Sequence, residues 1–191
     1  MARSGNLVWV DLEMTGLDPD RCVIVEIATL VTTGELELVA EGPNLVVHQP
    51  AEVLARMEPE VRRMHDKNGL TAASAASTVS LAEAEAASLA FVAAHCEPRT
   101  APLCGNSVWK DKQFLERYMP AFVRHLHYRV VDVSTIKELV RRWYPNGAGA
   151  VPKKREAHRA LDDIQESIAE LRYYRSRVFR SELAAAPTLE R

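Results

Sequence analysis

The apolar run Leu7-Val8-Trp9-Val10, continued by Leu12 and Met14, predicts a buried strand near the start of the chain. In Leu7-Val8-Trp9-Val10-Asp11-Leu12-Glu13-Met14-Thr15-Gly16-Leu17 the side chains leave opposite faces in turn, so Asp11 and Glu13 share a face with Leu7 and Trp9. Residues 6–13, 22–33 and 35–48 each read as strand, with Thr33-Gly34 as a tight turn between the second and third. That predicts a three-stranded antiparallel start. From Ala51 the texture becomes helical, and Ser80-Leu81-Ala82-Glu83 fits a capping box at the head of a helix reaching about His95. The small, polar stretch from Thr71 to Thr78 reads as loop.

Pro102 to Ser107 reads as a short buried strand before a helix from about Lys112 to Met119, and Arg129 to Val133 as a strand feeding a helix from Thr135 to Trp143. Strand, helix, strand, helix is the pattern of parallel pairing. Tyr144 to Arg155, with Pro145, Gly147, Gly149 and Pro152, reads as a basic loop. A last helix runs from about His158 to Phe179, with Leu161, Ile164, Ile168 and Leu171 as its core stripe. The expected fold is α/β: a mixed five-stranded sheet, its first three strands antiparallel and the rest parallel, flanked by helices. Residues 1–180 are expected to form a single domain and residues 181–191 a flexible tail.

The two carboxylates in the first strand change this picture. Burial disfavours their ionisation and each raises the pKa of the other, so a bound divalent cation is the natural counterweight. A strand ending at Val10, with Asp11 as a turn residue, is the alternative; against it, turn chemistry waits until Gly16-Leu17-Asp18-Pro19-Asp20. Carboxylate-only ligands favour Mg²⁺ or Mn²⁺, ions that share their remaining positions with water and phosphate. Phosphoryl chemistry is the leading class.

Composition narrows the substrate. The 191 residues are 47% hydrophobic, enough for one core, and the net charge is −2 with a pI near 6.3. Such a balance argues against tracking a long backbone or double-stranded DNA and favours a nucleotide or short oligonucleotide. Residues 1–5 lack an apolar stretch and no run is long enough for a bilayer, so no membrane association and a cytoplasmic location are expected. Cys22, Cys96 and Cys104, odd in number and set among apolar residues, are expected to be reduced and packed.

The remaining candidates are ambiguous one by one. Asp111 fits a metal ligand or the N-cap of the helix from Lys112. In the last helix Ala160, Asp163 and Ser167 form a column beside the core stripe, and helical spacing leaves Asp162 and Asp163 both open. Taken together, Trp9 to Leu17, Cys104-Gly105-Asn106-Ser107 leading to Asp111, His127-Tyr128-Arg129 to Asp132-Val133-Ser134-Thr135, and His158 to Asp163 recur in the order of a known group. The chain resembles the DEDD exonuclease superfamily, in its His-containing branch with a ribonuclease H-like fold, and within that branch the oligoribonuclease family.

The resemblance implies a 3′→5′ exoribonuclease that cuts very short single-stranded RNA, dinucleotides to about pentanucleotides, to 5′-mononucleotides. By that analogy Asp11, Glu13, Asp111 and Asp163 bind two divalent cations, Mg²⁺ or Mn²⁺, and His158 is the general base. Leu17 wedges against the terminal bases and His65 lies near the nucleotide. Ser107, Arg129, Ser134 and Thr135 hold the 5′-phosphate across a homodimer interface, with Tyr128 of the partner subunit. One departure stands out: relatives carry a stacking aromatic near Glu60, within Met57-Glu58-Pro59-Glu60-Val61-Arg62, and a glutamate cannot stack. A platform worth roughly 1–3 kcal/mol per base is then missing. A proofreading or tRNA-trimming exonuclease, a non-cutting RNA sensor and a plain interaction module are the alternatives.

Overall fold

The structure, a computed structural model, describes residues 5–144 and 159–179. Strands β1 (Leu7–Met14), β2 (Ile24–Thr32) and β3 (Leu38–Val46) come first, followed by helices α1 (Ala51–Leu54), α2 (Pro59–Lys67), α3 (Leu70–Ala76) and α4 (Leu81–His95). Then come β4 (Pro102–Gly105), α5 (Val108–Tyr118), α6 (Pro120–His125), β5 (His127–Asp132), α7 (Val133–Trp143) and α8 (Ala160–Arg177). The sheet order is β3-β2-β1-β4-β5. β1 pairs antiparallel with β2, and β2 with β3, whereas β4 runs parallel to both β1 and β5. The expected mixed sheet is therefore present.

The alternation along β1 separates two cores. Val8, Val10 and Leu12 face a cluster with Ala84 and Val92 of α4 and Phe114 and Leu115 of α5. Trp9 faces the other way, into a cluster with Val133 and Val140 of α7 and Ile164 and Ile168 of α8. Asp11 and Glu13, in phase with Trp9, therefore look toward α8. The expected stripe of the last helix is the one buried: Ile164 and Ile168 lie inside, and Leu161 and Leu171 flank them. All three cysteines are free thiols.

Several element boundaries differ from expectation. Thr71 to Thr78 is not a loop; α3 occupies most of it, held by Leu70 at its head and by the Ser74 hydroxyl, which donates to the Val47 carbonyl at 2.7 Å. The third strand starts at Leu38 rather than 35, because Thr33 and Glu37 close a turn in which Leu36 adopts φ +68° and buries its side chain. α5 begins at Val108, four residues ahead of Lys112, so Asp111 sits in its first turn and is not its N-cap. α6 was not anticipated. The capping box at Ser80 and Glu83 is formed in both directions. The expected loop through Arg155, His158 and the tail 181–191 lie outside the described residues. No helix among the described residues is long and apolar enough to cross a membrane.

Candidate active site

β1, β4 and β5 run in one direction, so their carboxyl ends lie along one edge of the sheet. In open α/β sheets that edge is where ligands bind. Here it carries Asp11 and Glu13 on β1, Asn106 and Ser107 after β4, Asp132 at the end of β5 and Ser134 just beyond it.

Asp11 and Glu13 of β1 and Asp163 of α8 each offer an oxygen such that all lie within 4.8 Å of one another. The phase of α8 puts Asp163 on this group while Asp162 is exposed, which resolves the choice that helical spacing leaves open. Asp111 arrives from the opposite face. β4 is short and pairs with β1 only at Val8 and Trp9, so the Leu12 N–H has no strand partner there; it donates to Asp111 Oδ1 at 3.0 Å. Gly105 makes this approach possible, since a Cβ there would stand 3.0 Å from the Val10 carbonyl oxygen and 3.1 Å from Val108. Ser107, at φ +52°, then turns the chain into α5.

Burial pushes the Glu13 carboxyl up to about 8, and Asp163, Glu26 and Asp111 push it further in the same direction while Arg159 opposes them. Burial likewise raises Asp111 to about 7, against the bond from Leu12. The group of Asp11, Glu13 and Asp163, with Asp111 close enough to act on Glu13 but outside the group, holds protons on Glu13 and Asp111 near neutrality. The same donor set suits hard divalent cations, whose charge would replace those protons.

One pair of residues in this region was not anticipated. Glu26 of β2 is wholly buried and lies opposite Glu13 in the β1–β2 register. Its carboxylate receives Arg159 Nε at 3.1 Å on each oxygen, Arg159 Nη2 at 2.6 Å, and the Ala160 N–H at 3.2 Å. Glu26 thus satisfies a donor at the start of α8 and brings its own counter-charge with it. A charge inside the apolar run Ile24 to Thr32 is the same incongruity that marks Asp11 and Glu13, and it could have been read from the sequence.

Other expected site residues divide into two groups. Leu17 projects beyond the end of β1, 64% exposed, as a wedge would. His65 is fully buried behind Glu13, its Nε2–H on the Met14 carbonyl at 2.9 Å and 3.8 Å from Glu13 Oε2. It backs the carboxylate and has no exposed surface. Glu60 is exposed beside Arg63 on α2. At the far end of the edge, the Ser107 N–H donates to Asp132 Oδ1 and Ser134 Oγ, each at 2.9 Å, and the Ser134 N–H donates to Asp132 Oδ1 at 2.9 Å. Thr135 follows in the first turn of α7, exposed. Tyr128 and Arg129 form a bulge, since His127 and Val130 pair with the adjacent residues Pro102 and Leu103 of β4. The bulge brings Arg129 Nε to Tyr128 Oη at 3.1 Å and exposes both side chains.

The chain matches the exonuclease family over residues 8–171. The mitochondrial oligoribonuclease of Homo sapiens is 52% identical over 177 residues, which cover 93% of this chain and 75% of that protein. The oligoribonuclease of Pseudomonas aeruginosa is 53% identical over 92% of this chain and 97% of its own. Among solved structures, exonuclease I of Methylocaldum szegediense superposes with a TM-score of 0.70 at 21% identity, covering 91% of this chain and 41% of that one. A zinc-bound complex of E. coli exonuclease I with single-stranded DNA gives 0.68 at 16% identity, again over 41% of its length. At these identities the likeness shows the fold, and this chain spans about two-fifths of those molecules.

Proposed function

The chain belongs to the oligoribonuclease family of exonucleases, and from that membership together with the site geometry we propose a two-metal 3′→5′ hydrolysis of RNA dinucleotides to about pentanucleotides with His158 as general base. The metal-dependent exoribonuclease activity on short RNA follows from the family. The observation that carries the finer reading is the convergence of Asp11, Glu13 and Asp163 within 4.8 Å from a strand and a helix 150 residues apart in sequence.

Asp11, Glu13, Asp111 and Asp163 would hold two divalent cations, Mg²⁺ or Mn²⁺; four carboxylates match the charge of two such ions. When bound, the ions lower the pKa of water and stabilise charge on the leaving oxygen. The chain's own residues do the rest. Asp111 stays aimed through its bond from Leu12, and Glu26 with Arg159 holds the head of α8 so that Asp163 meets β1. His158, next to Arg159, takes a proton on an imidazole nitrogen from the attacking water. The water oxygen bonds to phosphorus, the bond to the 3′-oxygen of the preceding nucleotide breaks, that oxygen takes a proton from solvent water to become a 3′-hydroxyl, and a 5′-mononucleotide leaves.

Length selection comes from the other end of the substrate. Ser107, Arg129, Ser134 and Thr135 would seat the 5′-phosphate, Leu17 would wedge between bases, and His65 would support the nucleotide side from behind Glu13. A 5′-phosphate held at a fixed distance from the carboxylates disfavours longer chains. The reading includes a homodimer, in which the exposed Tyr128 of one protomer reaches the seat of its partner, a single exonuclease domain over residues 1–180, and a cytoplasmic location. Exposed Glu60 leaves one base without an aromatic platform.

The test is hydrolysis of a 5′-phosphorylated RNA dinucleotide in Mn²⁺ beside an RNA heptamer and a single-stranded DNA 20-mer, by wild type and Asp11→Ala. Rapid mononucleotide release from the dinucleotide, lost in the variant, is expected. Equal rates on the DNA 20-mer would move the protein to a proofreading or trimming role, and binding without cleavage would make it a sensor.

A further inference from the structure

A directional chain of hydrogen bonds joins Ser107 and Ser134 to α8, the helix that carries Asp163, and Asn106 is its central link. Asn106 Nδ2 donates to Ser167 Oγ at 2.8 Å and to Glu170 Oε2 at 3.2 Å, while its Oδ1 accepts from Ser134 Oγ at 3.1 Å. Ser167 has one hydroxyl proton and gives it to the Asp163 carbonyl at 2.8 Å. Glu170, buried at 2% exposure, accepts from Tyr174 Oη at 3.0 Å and pairs with Lys137 Nζ at 3.2 Å. Both groups beside Nδ2 therefore need a donor, which settles the orientation of the amide. Oδ1 must face Ser134 and takes its proton.

The consequence reaches the seat. With its proton committed to Asn106, Ser134 Oγ can only accept, and it accepts the Ser107 N–H at 2.9 Å and lies 3.1 Å from the Ser107 hydroxyl. The Ser107 proton can rotate outward to an anion; the Ser134 proton cannot without breaking the chain. Beyond their shared apolar core, two polar contacts tie α7 to α8: Lys137 with Glu170, and Ser134 through Asn106 to Ser167. One carries charge and the other carries direction. Ser134 and Thr135 ride on α7, and Asp163 rides on α8 one turn before Ser167.

We propose that Asn106 is a positioning residue that sets the spacing between the 5′-phosphate seat and the α8 carboxylate, and so sets the preference for short 5′-phosphorylated RNA. The inference rests on the functional reading above. It refines that reading at one residue: Ser107 and Arg129 donate to the phosphate, whereas Ser134 serves the seat by accepting from Ser107 and holding it in place.

The test compares kcat/KM on a 5′-phosphorylated and a 5′-hydroxyl RNA dinucleotide, and on an RNA heptamer, for wild type, Asn106→Ala and Ser167→Ala. Loss of an aligned hydrogen bond to a charged group corresponds to about a tenfold change, so in Asn106→Ala the phosphorylated-to-hydroxyl ratio should fall about tenfold, through KM, and the advantage over the heptamer should shrink with it. Ser167→Ala removes one small polar atom from a packed helix, which keeps the fold, and should move the ratio the same way by a smaller factor. An unchanged ratio in either variant overturns the inference, whether activity is full or both dinucleotides lose it equally, because a merely structural residue scales both alike. Wild type that fails to favour the phosphorylated dinucleotide overturns the functional reading itself, a separate result from an unchanged ratio in active variants.

Discussion

Replacing Glu13 with Gln should stabilise the metal-free protein above neutrality while removing its activity. In the unfolded chain the carboxyl ionises at an ordinary 4.5; in the folded, metal-free chain burial and three neighbouring carboxylates hold its proton to about pH 8. Between those values the folded state binds more protons than the unfolded one. Stability therefore falls as pH rises through that window, and the loss is complete above about pH 8. At ~1.4 kcal/mol per pH unit the penalty reaches on the order of 3–5 kcal/mol. Gln keeps the shape and carries no charge, so it escapes the penalty. A chain of this length shifts its melting point by about 2–4 °C per kcal/mol, which puts the variant roughly 10 °C above wild type at pH 8 in EDTA, with the two converging toward pH 4.5.

The assay is thermal unfolding monitored by fluorescence from pH 4.5 to 8.5, in EDTA and then in Mn²⁺. Asp111, raised to about 7, titrates in both proteins, and losing the Glu13 charge eases its ionisation in the variant, which adds to the difference in the same direction. Manganese should raise the wild-type melting point and erase its deficit, because the ions offset the charge that Glu13 acquires. The variant should respond weakly and release no mononucleotide. Parallel curves against pH in EDTA would refute the reasoning, since they would mean that Glu13 ionises in the folded protein as easily as in water.

Three further outcomes follow from the same geometry. Mn²⁺ binding near pH 6.5 should expel between one and two protons, because Glu13 and Asp111 both hold protons there; titration calorimetry in two buffers of different ionisation enthalpy reads the number, and no buffer dependence would count against it. Arg159→Ala leaves Glu26 buried without its counter-charge and should cost about 3 kcal/mol in urea unfolding, with much of that restored by the double variant Arg159→Met, Glu26→Leu. Ser80→Ala removes the cap of α4, far from the site, and should cost ~1 kcal/mol with unchanged hydrolysis.

What could be read from the chain follows the range of the signal. The facing of Asp11 and Glu13 is a property of neighbouring residues in one strand, and strand alternation reports it directly. The capping box at Ser80 and the core stripe of α8 are equally local. Helix α3 was missed because Thr71 to Thr78 contains no large apolar residue and its anchor, Leu70, precedes it. α5 starts earlier than Lys112 because Ser107, read from the sequence as the end of a strand, is its left-handed N-cap and turns the chain into the helix at Val108.

Asp163 shows where local reading stops. Whether it or Asp162 faces β1 depends on the phase at which α8 begins, and no spacing within the helix sets that phase. Glu26 does, by accepting the Ala160 N–H and gripping Arg159, from a strand 134 residues earlier. With Ala160 as the first helical residue and buried in the α8 face, Asp163 lies three positions on, along that face, and Asp162 falls outward. The incongruous glutamate in β2 therefore decides which aspartate in α8 joins the site. A charge inside an apolar strand thus has two uses in this fold, to build the cluster at Glu13 and to orient its distant member at Glu26, and the two are distinguished by whether a cationic side chain closes on it.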